Sequence, residues 1–100
     1  MKIAVIGGGS WGTTLAHLLA SKGYEAHLWL REEALVREIL DKGENTWFLP
    51  GFQLSKSLRV SSDLETVLKG AQTSLFVVPC QFLRQVLAQA KQFLPREHTL

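Results

Sequence analysis

Residues 7–12 read Gly-Gly-Gly-Ser-Trp-Gly, and the glycines at 7, 9 and 12 fit the spacing G-x-G-x-x-G. What such residues offer chemically is their backbone. Gly7 permits a tight turn, and Gly9, without a Cβ, lets a pyrophosphate approach the main chain. Gly12 allows a following helix to pack against strands. The unpaired N–H groups of that helix's first turn then face the anion. One helix N-terminus favours an anionic group by only about 0.3–1 kcal/mol, up to about 2 when partly buried. Several amides must therefore converge, Ser10 and Trp11 being placed in the same first turn. The bland alternative is a turn that merely joins a strand to a helix. Each glycine kept there costs roughly 0.5–1 kcal/mol relative to alanine, which weighs against that alternative.

A second chemical cue is expected about twenty residues further on, at the end of the next strand. An acidic residue there would hold the ribose hydroxyls of NAD, and a basic one would accommodate the 2′-phosphate of NADP. The chain reads Trp29-Leu30-Arg31-Glu32-Glu33. Arg31 comes first and favours NADP, and its planar guanidinium can also stack on adenine. Glu32 and Glu33 leave NAD open, because a shift of one residue at the strand end would present a carboxylate instead.

The elements that must position these groups alternate. Lys2 to Ile6 is a short β-branched run that reads as a strand buried on both faces. Residues 10–22 take a helical period. Leu15, Leu18 and Leu19 recur at helix spacing, Gly12, Ala16 and Ala20 form a stripe of small residues, and Gly23 stops the helix. A strand is expected over 25–30, a helix over 32–42 with Leu35, Val36, Ile39 and Leu40 inward, and an irregular stretch over 44–57. A weak strand at 58–61, a short helix at 64–69 capped by Asp63, a strand at 73–78 ended by Pro79 and an amphipathic helix at 81–93 follow. In the last helix Leu83, Val86, Leu87, Ala90 and Phe93 face inward, and Pro95 stops it. His98-Thr99-Leu100 reads as the start of a fifth strand. The expectation is an α/β, Rossmann-type doubly wound parallel sheet, truncated before its fifth strand is complete.

Composition narrows the function classes. Eleven Lys and Arg stand against nine Asp and Glu, for a net charge of +2, with 46% apolar and 20% charged residues. The chain is too apolar for disorder and lacks the basic excess of a nucleic-acid binder. Leu75-Phe76-Val77-Val78 is a run of four, against the roughly 18 a membrane span needs, so no membrane partner is expected. The N-terminus opens directly on a strand-like run, so no signal or transit peptide is read there. A single cysteine, Cys80, excludes an internal disulfide and a cysteine-based metal site, and points to a cytoplasmic setting. His17 and His27 read as structural, with no acidic partner at fixed spacing. Trp29 and Trp47 read as packing residues, and Trp11 either lines the cleft or packs.

With these residues in view, the chain resembles the opening of NAD(P)-dependent glycerol-3-phosphate dehydrogenases. The family pattern G-x-G-S-W-G-T-A-L-A reads here from Gly7 to Ala16, with Thr14 in place of alanine. L-W-x-R is Leu28 to Arg31. N-x-x-Y-L-P-G is Asn45 to Gly51, with Phe48 in place of tyrosine, and a V-P-S-like turn reads Val78-Pro79-Cys80. Cys80 stands where serine is frequent, so it either adds a weak S–H near the nicotinamide or is simply a small residue after a strand. The resemblance implies a cytosolic enzyme that interconverts sn-glycerol 3-phosphate and dihydroxyacetone phosphate for glycerophospholipid synthesis. It would bind NADP or NAD, take a small phosphorylated substrate, and form a homodimer at full length. It further implies that residues 1–100 are the N-terminal NAD(P)-binding domain and that a helical substrate domain lies elsewhere. Ser10 and Trp11 would meet the pyrophosphate, Arg31 the adenosine end, and Phe48 and Phe82 other parts of the cofactor. None of the six lysines, at 2, 22, 42, 56, 69 and 91, matches the family's catalytic lysine motifs. All six read as solvated, and no catalytic residue is expected within this chain. Two alternatives stay open: another dehydrogenase of the hydroxyacid or 6-phosphogluconate type, and a stand-alone dinucleotide-sensing module.

Overall fold

The computed structural model describes residues 1–7, 9–78 and 80–91. Gly8 of the glycine turn, Pro79, Phe93, Pro95, the His98–Leu100 strand and the Cys80 thiol lie outside what is described.

Four strands and four helices alternate: β1 (Lys2–Ile6), α1 (Ser10–Ser21), β2 (Glu25–Trp29), α2 (Glu33–Lys42), β3 (Arg59–Ser61), α3 (Leu64–Leu68), β4 (Thr73–Phe76) and α4 (Cys80–Ala90). The strands form one parallel sheet in the order β3-β2-β1-β4. From β1 the chain steps outward to β2 and β3, then returns past β1 to lay down β4 on its other side. The connections therefore change direction beside β1, the switch point at which open α/β sheets place their ligands. The expected Rossmann-type α/β class is the observed one.

Strand alternation divides the core in two. Val5, Ala26, Leu28 and Leu30 point to one face and pack with α1, α2, Leu54 and Leu58. Ala4, Ile6 and Trp29 point to the other and pack with α3 and α4 through Leu64, Val67, Leu68, Val86 and Ala90. Each fully buried Leu or Val of this set contributes about 1.5–3 kcal/mol. Both faces are covered, which is why β1 reads as an unbroken apolar run.

The small-residue stripe is the buried side of α1: Gly12, Ala16 and Ala20 are buried together with Thr13. Leu18, expected among the periodic core leucines, is 48% exposed, and Leu40 of α2 is 68% exposed. Close approach of α1 to the sheet needs small side chains, so Leu18 is turned to solvent while Leu19 packs partly buried against the core. Asp63 caps α3 as expected, accepting from the Glu65 amide at 3.1 Å. Lys2 departs from the solvated reading: its ammonium donates to the carbonyls of Thr66, at 3.0 Å, and Lys69, at 2.6 Å, at the end of α3. Burial lowers the Lys2 pKa, opposed by the Glu25 charge and reinforced by Lys69.

Among the described residues no helix is long and apolar enough to cross a membrane. Nor does any group of three or more His, Cys, Asp and Glu among them converge as metal ligands.

Candidate functional site

The exit of β1, at Ile6 and Gly7, is held by neighbours on both sides. The Gly7 amide donates to the Trp29 carbonyl at 3.0 Å, and the Val77 amide donates to the Ile6 carbonyl at 2.8 Å. Gly7 takes φ +134°, a region closed to most L-residues, and a Cβ on it would strike the Val77 carbonyl oxygen. A Cβ on Gly12 would strike the Gly7 carbonyl oxygen, so the first turn of α1 lies directly on the strand exit. Gly9 differs: a Cβ there would meet no atom within 4 Å. Its open side is the room a ligand's phosphates would need.

Gly9 is the N-cap of α1, and the first backbone bond of the helix runs from the Thr13 amide to the Gly9 carbonyl at 3.0 Å. The amides of Ser10, Trp11 and Gly12 precede that bond and have no intrahelical acceptor. No side chain caps this end and its first turn holds no acidic residue, whereas α2 and α3 carry Glu33 and Glu65 in theirs. The positive end of the α1 dipole is left for an external anion.

These groups open onto a cleft of about 660 Å³ at the carboxyl edge of the sheet, beside β1. The turn and the first turn of α1 contribute Gly7, Gly9, Ser10, Trp11 and Gly12 to its wall. Trp29, Arg31 and Glu32 enter from the end of β2, Phe48 from the loop after α2, and Phe82 from α4. The eight residues singled out as cofactor contacts are thus brought together on one cleft. Trp11 is 75% exposed there, so it lines the opening rather than packing in the core. Glu33 points elsewhere and pairs with Arg37 at 3.3 Å. Arg31 and Glu32 remain as a cation and an anion on the same wall.

Several contributors were not foreseen. Phe76, Val77, Val78 and Val86 supply an apolar floor from β4 and α4, a consequence of strand order that no local pattern reveals. Trp29 is buried, as its packing role requires, but its edge also reaches the cleft, and its indole N–H donates to the Ser62 carbonyl at 2.9 Å. Trp47 does not line the cleft; half-buried, it meets Phe48 edge-on. Asn45 is fully buried beneath the Phe48 loop.

His17 and His27 lie away from the cleft. The His17 ring stands edge-on to Phe52, and its Nδ1 accepts from the Ser55 amide at 2.9 Å, which docks the loop on α1. His27 does have an acidic partner, contrary to expectation: Glu25 Oε2 lies 2.8 Å from its Nε2. Residues two apart in a strand share a face, which is the spacing that would have revealed the pair. Burial lowers the His27 pKa against the opposing pull of Glu25, whose carboxylate accepts from the ring Nε2–H. That hydrogen bond in turn holds the Glu25 carboxyl below its usual range.

A parallel sheet wound on both faces, with a glycine turn delivering a bare helix start to its switch point, defines a Rossmann-type α/β domain. The family model described as "NAD-dependent glycerol-3-phosphate dehydrogenase N-terminus" matches residues 2–100, and the chain belongs to that family. It is 55% identical over 96 residues to a glycerol-3-phosphate dehydrogenase (NAD(P)+) of Maridesulfovibrio salexigens, an alignment covering 96% of this chain and 29% of that protein. Among solved structures, glycerol-3-phosphate dehydrogenase from Coxiella burnetii superposes with a TM-score of 0.91 at 35% identity, covering 97% of this chain and 30% of that one. The yeast Saccharomyces cerevisiae enzyme gives 0.90 at 32% identity, covering 98% and 31%. The chain thus spans less than a third of the length of these relatives.

Proposed function

We propose that this chain is the dinucleotide-binding part of an enzyme that interconverts sn-glycerol 3-phosphate and dihydroxyacetone phosphate with NADP or NAD. The observation that carries the reading is the open side of Gly9 facing a cleft at the sheet's carboxyl edge, in a chain of this family. A pyrophosphate fits that place: the amides of Ser10, Trp11 and Gly12 would donate to it, and the uncapped helix start favours its charge. Arg31 would take the adenosine end and supports NADP as the preferred form, while Glu32 on the same wall is the feature that supports NAD. Phe48 and Phe82 would cover the cofactor's apolar surfaces.

When bound, the nicotinamide supplies or accepts the hydride exchanged with C2 of the substrate. The chain's own residues hold the cofactor in place and keep water from its buried side. Residues 1–100 are read as the N-terminal NAD(P)-binding domain. Among the described residues lining the cleft the cation is Arg31, read at the adenosine end, so the groups that polarise the substrate carbonyl are assigned outside these residues, to a helical substrate domain. The same reading takes the enzyme as cytoplasmic and homodimeric, serving glycerophospholipid synthesis.

The test is a fluorescence titration of the full-length protein with NADPH and NADH, followed by dihydroxyacetone phosphate-dependent oxidation of the bound cofactor. Saturable binding and turnover are expected. Absence of binding to either dinucleotide overturns the reading. Turnover by residues 1–100 alone overturns the assignment of the catalytic groups elsewhere.

A further inference from the structure

Asn45 is fully buried in a segment that is otherwise loop, and both ends of its side-chain amide are engaged. Its Nδ2 donates to Thr13 Oγ1 at 2.8 Å, and its Oδ1 accepts from the Phe48 amide at 3.1 Å. Its backbone carbonyl accepts from the Leu49 amide at 2.9 Å. Thr13 is itself buried and follows Gly12 in α1, so its hydroxyl belongs to the same helical turn whose amides open on the cleft. Thirty-two residues separate the two partners in sequence, and one side chain joins them. Phe48, by contrast, is 48% exposed on the cleft wall, its ring edge-on to Trp47. With half of the residue in solvent, the hydrogen bond from its backbone amide to Asn45 is what ties it to the buried side of the loop.

We propose that Asn45 and Thr13 form a positioning pair that sets Phe48 at a fixed height above the start of α1, so that aromatic wall and amide cradle meet a dinucleotide as one rigid surface. The inference rests on the reading of the cleft given above and assigns a task to two residues that do not line it. An apolar pair of the same size would fill the space equally well. The donor at 45 and the acceptor at 13 tie the Phe48 amide to the helix, which an apolar pair would not do.

The experiment uses the full chain with four variants, Thr13→Val, Thr13→Ser, Phe48→Ala and the double variant Thr13→Val/Phe48→Ala. NADH and NADPH dissociation constants are measured together with thermal melting. Thr13→Val keeps the shape of the side chain and removes the acceptor. It is expected to raise the dissociation constant about fivefold or more. Thr13→Ser, which restores the hydroxyl, is expected to recover the wild-type value. In the Phe48→Ala background, Thr13→Val is expected to add nothing to the dissociation constant, because the residue it acts through is gone. Hydrogen exchange at the Phe48 amide reads the same event without a ligand, and it should accelerate in Thr13→Val and be restored in Thr13→Ser. A Thr13→Val protein that melts lower yet binds with unchanged affinity overturns the proposal, as does full additivity with Phe48→Ala. Failure of the unsubstituted chain to bind either dinucleotide instead overturns the reading of the cleft, and the pair's role in binding with it.

Discussion

Arg31 and Phe82 meet across the cleft, the guanidinium carbon lying 4.8 Å from the centre of the ring. Arg31 leaves the end of β2 and Phe82 rides the first turn of α4, so the contact joins elements on opposite sides of β1. At an exposed site such a contact is worth about 0.5–1 kcal/mol, enough to aim a long side chain without locking it.

Arg31→Ala tests what that side chain is aimed at. If it meets a 2′-phosphate, NADPH affinity falls about tenfold while NADH affinity changes little. Parallel fluorescence titrations with the two cofactors measure the difference. Tighter NADH binding that survives the substitution refutes the 2′-phosphate role and leaves Glu32 as the residue that reads the ribose.

The two glycines flanking the start of α1 should fail in different ways. Gly12→Ala drives a methyl into the Gly7 carbonyl, so the helix must lift from the strand, at a cost of about 1–3 kcal/mol in urea unfolding. Gly9→Ala meets open space at φ −70°, ψ −176°, a backbone any residue adopts. Its unfolding free energy should stay within about 0.5 kcal/mol of wild type while dinucleotide affinity drops. Equal loss of stability in both variants would contradict this division.

Ala16 is fully buried where α1 lies against the sheet. Ala16→Leu overpacks that contact and is expected to destabilise the fold by about 1–3 kcal/mol. Leu18→Ala, on the exposed side of the same helix, should shift the urea midpoint far less.

The pH dependence of stability follows from His27. Its folded-state pKa lies below the ordinary 6.5, chiefly because of burial, so the unfolded chain binds a proton more readily than the folded one. That contribution is fully present above pH 6.5 and is lost as pH falls through the lower folded-state value. Glu25, also lowered, acts in the same direction in the acid range below 4.5. Melting temperature should therefore decline from pH 7 toward pH 5, and His27→Gln should flatten the upper part of that decline.

Much of this architecture is written locally. A β-branched run, three glycines and a helical period are enough to place β1, the turn and α1, and the Asp63 cap marks α3 unaided. What is not local is harder to read. Leu18 and Leu40 fit the helical period, yet the sheet takes the small stripe of α1 with Leu19 beside it and a narrower face of α2. Val78 and Phe76 become cleft residues only because β4 returns beside β1. Asn45 and Thr13 are ordinary polar residues in the sequence, and their partnership exists only once the loop folds back on the helix. The Glu25–His27 pair was within reach, since a strand's two-residue period brings them to one face.

The ladder bonds that run past the strand ends, from Gly7 to Trp29 and from Val77 to Ile6, have a thermodynamic consequence. Gly7 and Val77 surrender their main-chain freedom when the sheet assembles, not when a guest arrives. Association at this mouth therefore carries little entropic penalty from the main chain of these two residues.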